Sequence, residues 1–87
     1  MRPPENEDFG RLRWACRRGI RELDVLLTRY IDERFRDAPT AERDAFRSLL
    51  EAQNPLIYAY CLGREEAPNP EMRSLIRRIV AGAAGDR

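Results

Sequence analysis

Five arginines, Arg11, Arg13, Arg17, Arg18 and Arg21, fall within eleven residues, with Trp14 among them, Gly19 inside the run "WACRRGIRELD", and Glu22 and Asp24 following. A guanidinium is a planar fork that pairs bidentately with carboxylates and stacks on aromatic rings, and Arg and Trp are enriched where binding energy concentrates. The chemistry this set suits is recognition. A glycine at a bend adds to it, because a partner's backbone can come close where a side chain would block the approach. The same glycine has a purely structural reading, as a helix stop at positive φ. On that reading Arg18 and Glu22 are an i,i+4 pair worth about 0.2–0.5 kcal/mol, which implies no function.

No catalytic apparatus accompanies the cluster. The chain contains no histidine, so it has no Ser-His-Asp or Cys-His arrangement and no side chain that ordinarily titrates near neutrality. No glycine-rich phosphate loop or nucleotide fingerprint is present. Cys16 and Cys61 lie far apart, without a CxxC motif, which does not make a zinc site. They are expected to be free, largely buried apolar side chains, a disulfide being the minor alternative. Neither catalysis nor a metal is expected of this chain.

The elements that must position the cluster come from a chain of 87 residues, 43% hydrophobic and 36% charged. That suits one soluble domain with a thin core, burying about 60% of its unfolded surface. The net charge is +1, and all 16 basic residues are arginine. Whole-molecule attraction to nucleic acid or anionic lipid is therefore weak. The start, "MRPPENEDFG", lacks the hydrophobic segment of a signal peptide, and no apolar run approaches the roughly 18 residues that span a bilayer. The expectation is a bacterial cytoplasmic protein without membrane insertion, monomeric when free.

Apolar spacing predicts five helices and no strand, an all-α compact five-helix bundle forming a single domain over 1–87 with 1–7 and 81–87 frayed. Asp8 caps a first helix with Phe9, Leu12 and Cys16 on its apolar side, ending near Arg17 or Arg18. From Ile20 a stripe of Leu23, Leu26, Leu27, Tyr30, Ile31 and Phe35 marks a second helix, read as the central strut, with Arg34 and Arg36 in its last turn. Pro39 ends it and Thr40 caps the third, which buries Ala45, Phe46, Leu49 and Leu50 and leaves Glu42, Arg43, Asp44 and Arg47 in water. Asn54-Pro55 and Asn69-Pro70 each set a capping side chain before a proline suited to the first helical position. The fourth helix closes at Gly63, and the fifth carries Met72, Leu75, Ile76, Ile79 and Val80.

The run "RLRWACRRGIRELD" followed by Leu26 and Leu27, together with "LLEAQNP" and the last helix "NPEM…IRRI", resembles the SdhE-type succinate dehydrogenase assembly factors over about residues 9–80. These small proteins promote covalent flavin attachment to a partner flavoprotein, and Arg18, Gly19 and Glu22 match their RGxxE motif. The resemblance implies a five-helix bundle that binds the flavoprotein subunit of succinate dehydrogenase, and often of fumarate reductase, without holding FAD stably itself. It implies that the motif surface faces the partner near the flavin, and that the new bond joins a histidine of the flavoprotein to the 8α position of FAD. Arg18, Gly19 and Glu22 are thus the expected partner-binding residues, supported by Trp14, Arg17, Arg21 and Asp24. Leu56 and Tyr60 depart from the family, whose members commonly carry an acidic residue and a tryptophan there. The rival readings are an arginine-rich nucleic-acid module, with phosphates following the guanidinium groups and a base on Trp14, and a generic helical adaptor.

Overall fold

The computed structural model describes residues 5–84, with side chains from Phe9 to Gly82. Among the described residues there are five α-helices and no strand: α1 Glu5–Ala15, α2 Arg21–Glu33, α3 Thr40–Leu50, α4 Asn54–Leu62 and α5 Pro70–Ala84, with a 3-10 turn Phe35–Asp37 after α2. The all-α bundle read from apolar spacing is therefore the fold observed.

Several boundaries differ from that reading, for local reasons. α1 starts at Glu5, upstream of Asp8, and stops at Ala15, short of Arg17. The backbone at Asp8 is thus already helical, and its side chain lies outside the described ones; the acidic run 5–8 suits a helix N-terminus through the macrodipole. α5 runs on through residues 81–84, where alanines are strong helix formers; the remainder of the expected frayed ends, 1–4 and 85–87, lies outside the described residues. α2 ends at Glu33, so Arg34 is its C-cap and Arg36 belongs to the 3-10 turn rather than to the helix. Pro39 disfavours helical backbone at Ala38, which is extended at ψ 150°. The tightened turn lets Phe35 face inward, 2% exposed. Thr40 is the first residue of α3, and Pro39 occupies the cap position.

The two Asn-Pro pairs behave differently. Asn69 caps as expected, its Oδ1 accepting the Met72 N–H at 2.8 Å. Asn54 does not cap; Gln53 holds that position in α4, and the Asn54 side chain turns to another partner described below. Gly63 closes α4 in the left-handed region at φ 78°.

The core joins Leu23, Leu27, Tyr30 and Ile31 of α2, Phe46 and Leu49 of α3, Ile57 of α4, and Leu75 and Ile79 of α5. α5 packs against α2, α3 and α4, so the hub is α5 rather than the expected α2. Its stripe of Met72, Leu75, Ile76 and Ile79 is what the other helices cover.

Glu42 corrects the expectation of a solvated carboxylate, being 7% exposed. The Tyr30 hydroxyl donates to its Oε2 at 2.5 Å, and the Arg78 guanidinium donates to its Oε1. Three helices thereby contribute the partners that a buried charge requires. Burial and the bond to Glu42 push the Tyr30 hydroxyl's pKa up. Arg43 and Arg47 are half-buried rather than fully solvated, Arg47 lying over the Phe35 ring at 5.6 Å. No helix among the described residues is long and apolar enough to cross a membrane.

Candidate functional site

The arginine-rich stretch forms an elbow between α1 and α2. α1 closes as the Cys16 N–H reaches the Leu12 and Arg13 carbonyls at 3.1 Å and the Arg17 N–H reaches the Trp14 carbonyl at 3.0 Å. Gly19 then adopts φ 85°, a left-handed state that a Cβ disfavours. Ile20 is extended and caps α2 through its carbonyl, which accepts the Asp24 N–H at 2.8 Å. Asp24 reaches back across the bend, its Oδ1 accepting the Arg18 N–H at 2.6 Å.

Arg18 does not pair with Glu22. Its Nε donates to Asn54 Oδ1 at 2.8 Å, its Nη1 to the carbonyls of Ala15 at 3.1 Å and Leu50 at 2.9 Å, and its Nη2 to the Ala52 carbonyl at 2.7 Å. Asn54 Nδ2 donates back to the Arg18 carbonyl at 3.3 Å. Ala15 and Leu50 are the final residues of α1 and α3, where carbonyls lack intrahelical partners and the macrodipole is negative. A cation at two such ends satisfies orphan acceptors and the dipoles together. The bonds join the elbow to the α3–α4 connection, which no local feature of the sequence announces.

Beside this half-buried clasp lie exposed residues. Trp14 is 70% exposed, with the Arg17 guanidinium 5.3 Å from its ring centre, within cation–π range. Gly19, Arg21 and Glu22 are exposed as well. A Cβ built on Gly19 would meet nothing within 4 Å, so the glycine opens onto free space. Arg13 turns away to a bidentate pair with Asp32 at 2.8 Å, and that hydrogen bond holds the Asp32 carboxyl below its usual pKa. Arg11, Arg17 and Arg21 make no ion pair among the described residues. Trp14, Arg17, Gly19, Arg21 and Glu22 are thus the exposed residues of this stretch, the rim, while the half-buried Arg18 and Asp24 brace the elbow.

Two concavities flank the rim. One, of about 610 Å³, lies between Arg17 and Arg18 on one side and Gln53, Asn54 and Pro55 on the other. The second, of about 470 Å³, is mostly apolar and runs from Arg21 and Glu22 past Val25, Leu26, Tyr58, Cys61 and Leu62 to Val80. Val25 and Leu62 are 48% and 50% exposed. Sequence reading missed both these residues and Asn54; the available signal was that Val25 is an apolar residue off its helix's buried stripe. Leu56 is 38% exposed at the start of α4, and Tyr60 is half-buried. Cys16 is fully buried behind the elbow, and desolvation pushes its thiol up to about 12. Cys61 is half-buried, its pKa also raised by burial, and both are free thiols, so the disulfide alternative is not realised.

Residues 10–83 match the family model described as flavinator of succinate dehydrogenase. The chain belongs to this family. A FAD assembly factor SdhE of Coxiella burnetii is 41% identical over 79% of this chain and 84% of the relative. One of Shewanella oneidensis is 36% identical over 88% of this chain and 94% of its own length, and one of Aliivibrio fischeri is 39% identical over 85% and 86%. The flavinator match contains the whole elbow, the clasp to Asn54 and both concavities.

Proposed function

We propose that the elbow is the surface by which this flavinator binds the flavoprotein subunit of succinate dehydrogenase while FAD is attached to it. The observation that carries this reading is Gly19: held at φ 85° with free space over its Cα, it leaves open backbone in a stretch whose Trp14, Arg17, Arg21 and Glu22 are all exposed. A partner backbone can enter there, with the guanidinium groups pairing to its carboxylates and fixing register. The apolar groove beginning at Arg21 and Glu22 continues the same contact. Arg13 and Arg18 already have protein partners, leaving less basic surface for phosphates than the sequence offers, which weighs against the nucleic-acid reading.

On this reading the chain is not an enzyme. The covalent step belongs to a histidine of the flavoprotein and to FAD, and this chain supplies orientation, which in general lowers a barrier by several kcal/mol when reactants are fixed near attack geometry. It works in the cytoplasm as a monomer, holds no FAD stably, and serves the fumarate reductase flavoprotein as a second client. Release must follow loading, so the contact is of moderate affinity and near the standard size of about 1,600 Å².

Co-expression with the apo flavoprotein, followed by in-gel flavin fluorescence after denaturation, tests the proposal. Gly19→Arg should abolish covalent loading while circular dichroism stays helical, because the added side chain projects into open space and costs only about 1–2 kcal/mol of backbone strain. Normal loading by that variant sinks the role given to Gly19. Glu22→Ala should give a weaker defect.

A further inference from the structure

We propose that Arg18 and Asn54 form a pair of positioning residues: Arg18 acts from inside the elbow instead of touching the flavoprotein, and Asn54, 36 residues away in the chain, is needed for it to do so. The inference rests on the elbow being the docking face, and assigns work within it.

Hydrogen-bond capacity gives the first ground. A guanidinium has five N–H donors, and four bonds to Asn54, Ala15, Leu50 and Ala52 leave a single N–H on Nη2. Capturing a partner carboxylate bidentately would require breaking at least one of these four bonds. The second ground is that the bonds around Gly19 converge. Asp24 takes the Arg18 N–H, Asn54 donates to the Arg18 carbonyl, and the Arg18 side chain is anchored to the α3–α4 connection. Arg18 is thereby tied at its N–H, its carbonyl and its side chain, which fixes the backbone that enters Gly19, where glycine alone would leave the conformation free to vary. Third, every side-chain acceptor of Arg18 is a carbonyl or an amide, with no carboxylate in ion-pair range among the described residues. A lysine cannot replace such a fork, since one ammonium cannot reach acceptors spread over a plane.

The elbow is then preorganised. Apparent affinity falls in proportion to the fraction of molecules in the binding-competent state, so a clasp mutation that leaves one molecule in ten competent weakens binding about tenfold without removing any contact.

The experiment measures the dissociation constant for the apo flavoprotein subunit with Arg18→Lys, Asn54→Ala, Asn54→Asp and the Arg18→Lys/Asn54→Ala double variant. Amide hydrogen exchange is followed on each free chain. Asn54→Ala is expected to weaken binding about tenfold and to speed exchange at Arg18 and Gly19 about tenfold, with the α5 core amides unchanged. Asn54→Asp keeps the acceptor for Arg18 Nε but loses the donor to the Arg18 carbonyl, and should bind more tightly than Asn54→Ala yet more weakly than the parent. The double variant should bind no worse than Arg18→Lys alone, because both lesions open one clasp. Parent-like binding by Asn54→Ala alongside failure of Arg18→Lys would mean that Arg18 touches the partner, and would overturn the inference. So would multiplying losses in the double variant. If Arg18→Lys does not fold, the two Asn54 variants still decide the matter. Gly19→Arg separates the underlying reading: tight binding by it would refute the docking face, while the exchange rates would still report on the clasp.

Discussion

The two ends of α3 are each closed by an arginine from elsewhere in the chain, and they are closed in opposite ways. At the start, Arg78 of α5 and the Tyr30 hydroxyl of α2 converge on the buried Glu42, so positive meets negative there, with the Arg78 side chain half exposed. At the finish, Arg18 meets only carbonyls and an amide. Both placements agree with the α3 dipole, an acid at its positive end and a base at its negative end. Only the first cancels its charge locally. The second leaves a guanidinium's charge near the exposed Arg17 and Arg21, so on the proposed docking reading one end contributes cohesion and the other a positive field for the partner.

Breaking the far end should cost stability and spare binding. Phe46 is fully buried and lies against Tyr30 and Phe35, with ring centres 4.8 and 5.6 Å away. Phe46→Ala should lose about 3–5 kcal/mol in chemical denaturation, a large share of the stability of any small domain. Flavin loading per folded molecule should be unchanged; a specific loss of loading would blur the division between the ends.

The elbow should show the inverse. Trp14→Ala removes an exposed ring, so the denaturation midpoint should move by no more than about 0.5 kcal/mol. Affinity for the apo flavoprotein should drop by about 2 kcal/mol, roughly thirtyfold, as for a hot-spot aromatic. Titration calorimetry would check it, and unaltered affinity would remove Trp14 from the contact.

A smaller effect sharpens the far end. Tyr30→Phe deletes one bond to a buried carboxylate that keeps Arg78, and should cost about 1.5 kcal/mol with no change in binding. Smallest at neutral pH is the response to alkali. The Cys16 thiol is raised to about 12 and the Tyr30 hydroxyl is raised too, in both cases chiefly by desolvation. The unfolded groups ionise first, near 8.5 and 10 on average, so their contribution is complete below about pH 8.5 and declines as pH rises toward the folded values. Thermal midpoints should be flat from pH 7 to about 8 and fall beyond that, and Cys16→Ser should lessen the fall.

Local signals carried most of the fold. Gly19 and Gly63 sit where left-handed backbone was expected, Asn69 caps its helix, and the stripes on α2, α3 and α5 are the buried faces. What escaped the sequence was decided by partners distant along the chain. Asn54 has the same local setting as Asn69, yet its side chain goes to Arg18 because the elbow packs beside it. Glu42 looks like any surface acid until Tyr30 and Arg78 arrive from two other helices. In the site, residue types and spacing marked the stretch from Trp14 to Asp24 but could not sort rim from clasp. The apolar groove escaped notice because Val25 and Leu62 become neighbours only in the packed bundle.

Trp14 is the chain's one tryptophan, and it stands in solvent at the edge of the elbow. The molecule therefore carries an intrinsic optical probe on the proposed docking face. Selective excitation of the free chain reports on that edge alone, since no second indole in the interior dilutes the signal. Enclosing the ring in a complex would shift its emission toward the blue, allowing docking to be followed in real time without attaching a dye.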